Sequence, residues 1–231
     1  NMADLILGNT TVMTESGGAV TLGSSLLSNA TFPPGMIIGS AITFFNEITS
    51  YTMLGGGSGN AGNGDSNYNL DTGLDIDDLI VTYTPKNIAN KLFVSGVVNF
   101  STSGDSNGKV YAAVRVKRQI NGTGYSMLES VMNTDTGAMS GDKTQKGLAG
   151  YSNNFGSNHS GHPSFNLHFG FIDSSHATTT GHVVNYKLNH TLKGNDSSNK
   201  TLYLNRNYYQ PNDYGSNSSV SYIRVEEIQN D

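Results

Sequence analysis

The stretch LIVTYTPKNIANKLFVSGVVNF, Leu79 to Phe100, decides the fold. Its first part alternates, with Leu79, Val81 and Tyr83 on one side and Ile80 and Thr82 on the other. Its last part alternates again, placing Leu92, Val94, Gly96, Val98 and Phe100 together. Successive side chains of a strand point to opposite sides of a sheet, so a period of two marks a strand with one dry face. Thr84-Pro85 interrupts the run, and proline cannot donate to a ladder. The stretch therefore predicts two strands separated by a turn.

The same period recurs outward in both directions. Val110–Ile120 sets Val110, Ala112, Val114 and Val116 inward and Tyr111, Arg115 and Lys117 outward. Phe165–Ile172 groups Phe165, Leu167, Phe169 and Phe171. Val184–Leu192 sets Val184, Tyr186, Leu188 and Leu192 against Asn185, Lys187 and Asn189. Met36–Phe45, Ile48–Leu54, Thr201–Leu204 and Val220–Ile228 complete the predicted strands. Between them lie the glycine-rich Gly55–Gly64 and polar connections at 121–125, 132–150, 152–163, 174–181, 193–200 and 205–217. No segment has helical periodicity. Only 13% of residues are charged, against 28 glycines, which suits turns and strands rather than long amphipathic helices. About eight to ten strands suit a two-sheet sandwich. The predicted fold is all-β: an N-terminal extended arm of short strands (residues 1–35), then a jelly-roll-like antiparallel β-sandwich (residues 36–231).

The arm ends at Pro33-Pro34-Gly35. Before that, small apolar clusters carry Leu5, Ile6, Leu7, Val12, Val20, Leu22, Leu26, Leu27 and Phe32, with turn residues between them. A strand of two or three residues buries almost nothing alone. The clusters are therefore expected to pack against other copies or another protein; the alternative is a disordered tail.

Composition narrows the function. A net charge of −5 gives no global positive field for nucleic acid. Without cysteine there is no disulfide or thiolate metal site. No apolar run reaches the length of a membrane span, and Asn1–Leu7 lacks the basic run and apolar length of a secretory leader. The expectation is a protein retained in the cell or freed by lysis, as a virion component would be. Nucleophile elbow, P-loop and H-E-x-x-H motifs are absent, so no catalytic residue, cofactor or metal is assigned. A depolymerase built from distant carboxylates is the minor alternative, with Glu226 and Glu227 on the last strand.

Four other patterns each have a plain explanation. His159 and His162, with His168 beyond, have a spacing that could seed a metal site but read as loop histidines. Asp65, Asn67, Asn69 and Asp71 follow a calcium loop's alternation, yet Leu70 and Ile76 stand where glycine and glutamate belong. Lys109, Arg115, Lys117 and Arg118 would give one strand a basic, solvated outer face. The Asn-x-Ser/Thr sequons at Asn99, Asn121, Asn189 and Asn217 are expected by chance in so Asn-, Ser- and Thr-rich a chain.

The connection LNRNYYQPNDYG, Leu204 to Gly215, is the candidate binding loop. Sugar rings stack their C–H faces on aromatics and present hydroxyls to amides, carboxylates and guanidinium groups. Arg206, Asn207, Tyr208, Tyr209, Asn212, Asp213 and Tyr214 supply both kinds of group between two strands. The alternative is that the tyrosines cover the end of the core or contact a neighbouring subunit.

Three stretches carry a family likeness. TESGGAVTLGSSLLSNATFPPGMII (Thr14–Ile38) resembles the lead-in of tail-fibre and virion structural proteins of marine bacteriophages, where a small-residue arm ends in a TFPxG step before a β-sandwich. Leu79–Phe100 resembles that group's second landmark, and VSYIRVEEIQ (Val220–Gln229) resembles its closing strand. The resemblance covers about a third of the chain and leaves Gly104 to about Asn217 unmatched. It implies a non-enzymatic virion protein, a homotrimer in a tail fibre that touches other virion proteins through the arm. The body would bind a host cell-surface glycan, with no nucleic acid partner and no membrane insertion. A capsid decoration or head-fibre protein, or a trimeric jelly-roll carbohydrate-binding module, are the alternatives.

Overall fold

The structure is a computed structural model that describes residues 3–7, 10–16, 19–22, 33–53, 55–56, 60–61, 74–102, 109–131, 148–154, 164–177, 179–194, 200–206 and 219–230. The N-terminal strands are β1 (Ala3–Leu7), β2 (Thr10–Ser16) and β3 (Ala19–Leu22). They pair as a separate antiparallel meander, β1-β2-β3. Its register sets Leu5 opposite Met13 and Met13 opposite Leu22. The first three apolar clusters thus fall on strands that pair with one another, each longer than the two or three residues of its cluster. Leu26, Leu27 and Phe32 lie outside the described residues.

The body begins with β4 (Ile37–Phe45) and β5 (Thr49–Met53), then the two-residue strands β6 (Gly55–Gly56) and β7 (Asn60–Ala61). β8 (Leu74–Tyr83), β9 (Lys91–Thr102) and β10 (Lys109–Ile120) follow. β11 (Ser126–Met127), a single 3-10 turn at Glu129–Val131, β12 (Ala149–Asn154) and β13 (Ser164–Asp173) come next. β14 (Val184–Gly194), β15 (Lys200–Leu204) and β16 (Ser221–Ile228) complete the order.

One sheet runs β13-β9-β16-β4, with β15 and β5 extending the places of β16 and β4 along β9. The other runs β8-β14-β10, with β11 and β12 sharing the far edge of β10. All pairings are antiparallel. Along the chain the long strands β4, β8, β9 and β10 alternate between the sheets. β12 then stays with β10, and β13, β14 and β16 alternate again. This wrapping is that of a jelly roll, so the expected fold class is observed.

The inward faces match the alternation read from the sequence. Leu79, Val81, Leu92, Val94, Val98, Phe100, Val114, Val116, Val184, Tyr186 and Leu188 are all buried in one core. Gly96 shares that face because a side chain there would collide with the Phe169 ring and the Tyr222 carbonyl. Three expectations need correction. β12 lies within segments read as polar connections, because AGYSNN offers almost no apolar alternation and is held by pairing with β10. β8 starts at Leu74, inside the acidic stretch, since Ile76 reaches the core while Asp75 and Asp77 face away. The outward side of β10 is not a solvated basic face: Arg115 is only 1% exposed and its guanidinium donates to Asn189.

Where β15 gives way to β16, and β4 to β5, the sheet is stitched by Asn205. It is fully buried with φ at 58°. Its amide donates to the carbonyls of Phe45 and Glu47, and its side-chain oxygen accepts from Ser221 Oγ. Its backbone N–H donates to Asn99, and its carbonyl accepts from Ser219. Asn205→Ala should cost about 3 kcal/mol, because groups on β4, on β16 and in the connection between β4 and β5 lose their partners. Asn205→Gly loses the same side-chain bonds but relieves the left-handed backbone, and should recover about 1 kcal/mol of that. Urea unfolding of both variants checks this.

Candidate functional site

Sequence-distant groups converge at one end of the core on Glu227, a carboxylate with no solvent exposure on β16. It accepts from Tyr83 Oη at 2.7 Å and Asn90 Nδ2 at 2.6 Å. It also accepts from the backbone N–H groups of Lys86, at 2.9 and 3.1 Å, and Asn87, at 3.1 Å. Burial alone would raise this carboxyl's pKa, but the Lys86 N–H, Asn90, Tyr83 and Asn87 donors outweigh it and hold the group below its usual range. Burial and the same carboxylate push the Tyr83 phenol up.

The surrounding chain is tied to this point. Asn90 Oδ1 accepts from the Asn230 N–H, and its carbonyl faces His176 Nε2 at 2.8 Å. Lys86 Nζ turns to the Ile38 carbonyl. Gly35 N donates to Gln229 O, and Gln229 N donates to Met36 O, both at 2.9 Å. Gly39 pairs with Glu227, and a methyl there would collide with the Tyr83 hydroxyl. Asp173, two strands away in the same row, is likewise buried and engaged by Arg118, Tyr186 and Ser175. Neither carboxylate has a free oxygen to give to a substrate, so Glu227 is a structural clamp.

The two outer faces of the sandwich differ. On the five-stranded sheet, Asn189 links Arg115 to Asp75, and Asp75 pairs with Lys117 at 2.7 Å and Lys187 at 3.3 Å. Lys187 also meets Asp77 and lies 4.3 Å from the Tyr125 ring centre. Burial raises the Asp75 pKa, but the bonds and charges of Lys117, Asn189 and Lys187 prevail and hold it below its usual value. Lys117 and Arg118, read from the sequence as part of a solvated basic face, are thus each engaged by a carboxylate of the same chain.

The six-stranded sheet instead presents rows that mix apolar and polar groups. Phe44, Tyr222, Val97 and His168 share one row; Ile42, Arg224, Ser95 and Gly170 share the next; Ser40, Glu226, Phe93 and Ile172 share a third. Phe44 is 62% exposed and its ring centre lies 6.0 Å from that of Tyr222. Ile42 and Ile172 are also well exposed, and Arg224 pairs with Glu226 at 2.8 Å. Flat apolar rings flanked by hydrogen-bonding groups are what a saccharide surface uses.

Of the predicted binding loop, Arg206 is described, and its guanidinium stacks on Tyr203 at 4.6 Å. Its carbonyl accepts from Ser101 Oγ. Asn207, Tyr208, Tyr209, Asn212, Asp213 and Tyr214 lie outside the described residues. So do His159, His162 and the stretch from Asp65 to Asp71, while His168 is exposed on the outer face. For Leu5, Ile6, Leu7, Val12, Val20 and Leu22 the backbone alone is described. Among the described residues no three His, Asp or Glu side chains are grouped to hold a metal. The rows of the outer face could not be read from the sequence, because they depend on which strands become neighbours. No family model matches the chain, and no curated protein matches it.

Glu227→Gln should destabilise the fold by about 3 kcal/mol, since an amide presents two donors to groups that already donate. With its carboxyl held low, Glu227 contributes stability above its unfolded value of about 4.5, lost as pH falls through the folded one. That part of the acid dependence should vanish in the variant. Gly39→Ala should be costly in the native protein and much less so beside Tyr83→Phe; equal costs in both backgrounds would remove the proposed steric link.

Proposed function

We propose that the chain is a non-enzymatic structural protein of a bacteriophage virion, a trimeric fibre component whose N-terminal meander assembles and whose sandwich is displayed towards a host glycan. One observation carries this reading. The three stretches that resemble marine phage fibre proteins are far apart in sequence, yet they are hydrogen-bonded to one another at a single end of the body. Met36 and Gly35 meet Gln229, and Glu227 holds the 83–90 connection. A likeness shared by separate pieces is better grounded when those pieces form one physical unit.

The display role is supported by the contrast between the faces. On the five-stranded sheet Asp75, Asp77, Lys117 and Lys187 pair with one another, while the six-stranded sheet exposes Phe44, Ile42 and Ile172 beside Arg224 and Glu226. Several copies would multiply weak saccharide contacts through effective concentration. A capsid decoration protein would use the same arm on a shell. The exposed aromatic row also favours a second reading, a trimeric jelly-roll carbohydrate-binding module.

Light scattering on the whole chain and on residues 36–231 tests assembly; the expected result is a trimer for the first and a monomer for the second. A monomeric whole chain sinks the fibre reading. On a glycan array, Phe44→Ala and Arg206→Ala should each weaken binding about tenfold or more. Arg206→Ala alone losing binding would move the site to the 204–215 connection, and no binding by the native chain would leave assembly as its whole role.

A further inference from the structure

His190 is the one fully buried histidine among the described residues whose ring nitrogens both lack a hydrogen-bond partner. It sits on β14 on the same face as Leu188 and Tyr186, so it points between the sheets. Leu74 and Val114 flank it in register, and the Phe100 ring meets it edge-on at 4.8 Å, itself packed on Phe165 at 5.3 Å. We propose that His190 makes the sandwich acid-labile, because the core can hold its neutral ring but offers nothing to a second ring proton.

The groups packed around β14 support this. On β8, the carboxylates of Asp75 and Asp77 are turned to Lys117 and Lys187, and Asp78 accepts from the Tyr51 hydroxyl. β10 brings Lys109, Arg115, Lys117 and Arg118, and β15 brings Lys200. β7 has no ionisable residue. No carboxylate among the described residues faces the ring, and the positive charge of Arg115 adds repulsion to the loss of water. Together burial and Arg115 push His190 down to about 3.

The unfolded chain takes up its proton near the ordinary histidine value of about 6.5. A folded value below that means the unfolded state binds more protons as pH falls, so stability drops from about 6.5 downwards. The buried carboxylates act lower: Glu227 and Asp75 lose their contribution only below about 4.5 and 4. The interval between about 6.5 and 5 therefore belongs to buried imidazole. His176 is also buried there, but its Nε2 has the Asn90 carbonyl as partner. Acid would open the molecule from its centre before its carboxylate clamps fail. This inference concerns the isolated chain and stands apart from glycan binding or assembly.

The test is urea unfolding of the full chain between pH 7.5 and 5.0, native and His190→Leu. The folding constant of the native chain should fall about thirtyfold between pH 7.5 and 5.0, and most of that fall should disappear in the variant. The same fall in both proteins overturns the proposal. Should the variant not fold, the native protein decides: the His190 ring signals in an NMR titration should stay neutral until unfolding begins. A folded-state titration midpoint near 6.5 overturns the proposal as surely.

Discussion

A carboxylate fully removed from water is unstable unless every lone pair is met, and Glu227 is met by donors rather than by a cation. Two of those donors are consecutive backbone N–H groups in the connection after β8. The charge therefore dictates the path of that connection and not only its anchorage. Remove the charge and the Lys86–Asn90 segment has no reason to fold inward. Asn90 would then lose its hold on Asn230 and its contact with His176. The start of the body, the connection between β8 and β9 and the last strand share this one constraint. Gly39 belongs to it too, since the phenol that reaches Glu227 occupies the space a side chain would need.

The core holds other polar groups, and each fixes something apolar packing leaves free. Asn205 fixes where two strands end and two begin. Asp173 ties the end of β13 to Arg118 and Tyr186 on the opposite sheet. Thr43 Oγ reaches the Ile80 carbonyl, and Tyr51 reaches Asp78, joining β4 and β5 to β8 across the sheets. A chain without cysteine cannot pin its sandwich covalently. Here the relation of one sheet to the other is set by hydrogen bonds that a shifted register would leave unmade.

How far the sequence could be read follows from what each residue depends on. The strands with strong alternation, such as Leu92–Phe100 and Val184–Leu188, were legible because burial of one face is written into their own order. β12 was not, because its stability comes from β10 and not from its six residues. Arg115 looked like a solvated cation because alternation tells which side of a sheet a residue faces, not whether that side is covered. The burial of His190 is hidden for the same reason in reverse: a polar residue between Leu188 and Leu192 interrupts the pattern it belongs to. Of the candidate binding residues, Arg206 could be named from its own loop. The row of Phe44 with Tyr222 could not, since it joins residues from opposite ends of the body.

The placement of the clamp also bears on the fibre reading. In such an assembly any pull on the N-terminal meander reaches the body at Pro33–Ile37. That segment is paired on β16 through Gly35, Met36 and Gln229, and two residues earlier β16 carries Glu227. Force would enter beside a buried charge held by four separate donors. From there it would spread to β9 through Leu92, which pairs with Glu227, and to the 83–90 connection. The opposite end, around Asn205 and Arg206, carries no such load and opens onto the outer face with its aromatic row. A molecule held at one end and presenting ligand groups away from it needs this division: rigidity where it is attached, accessible chemistry where it is not.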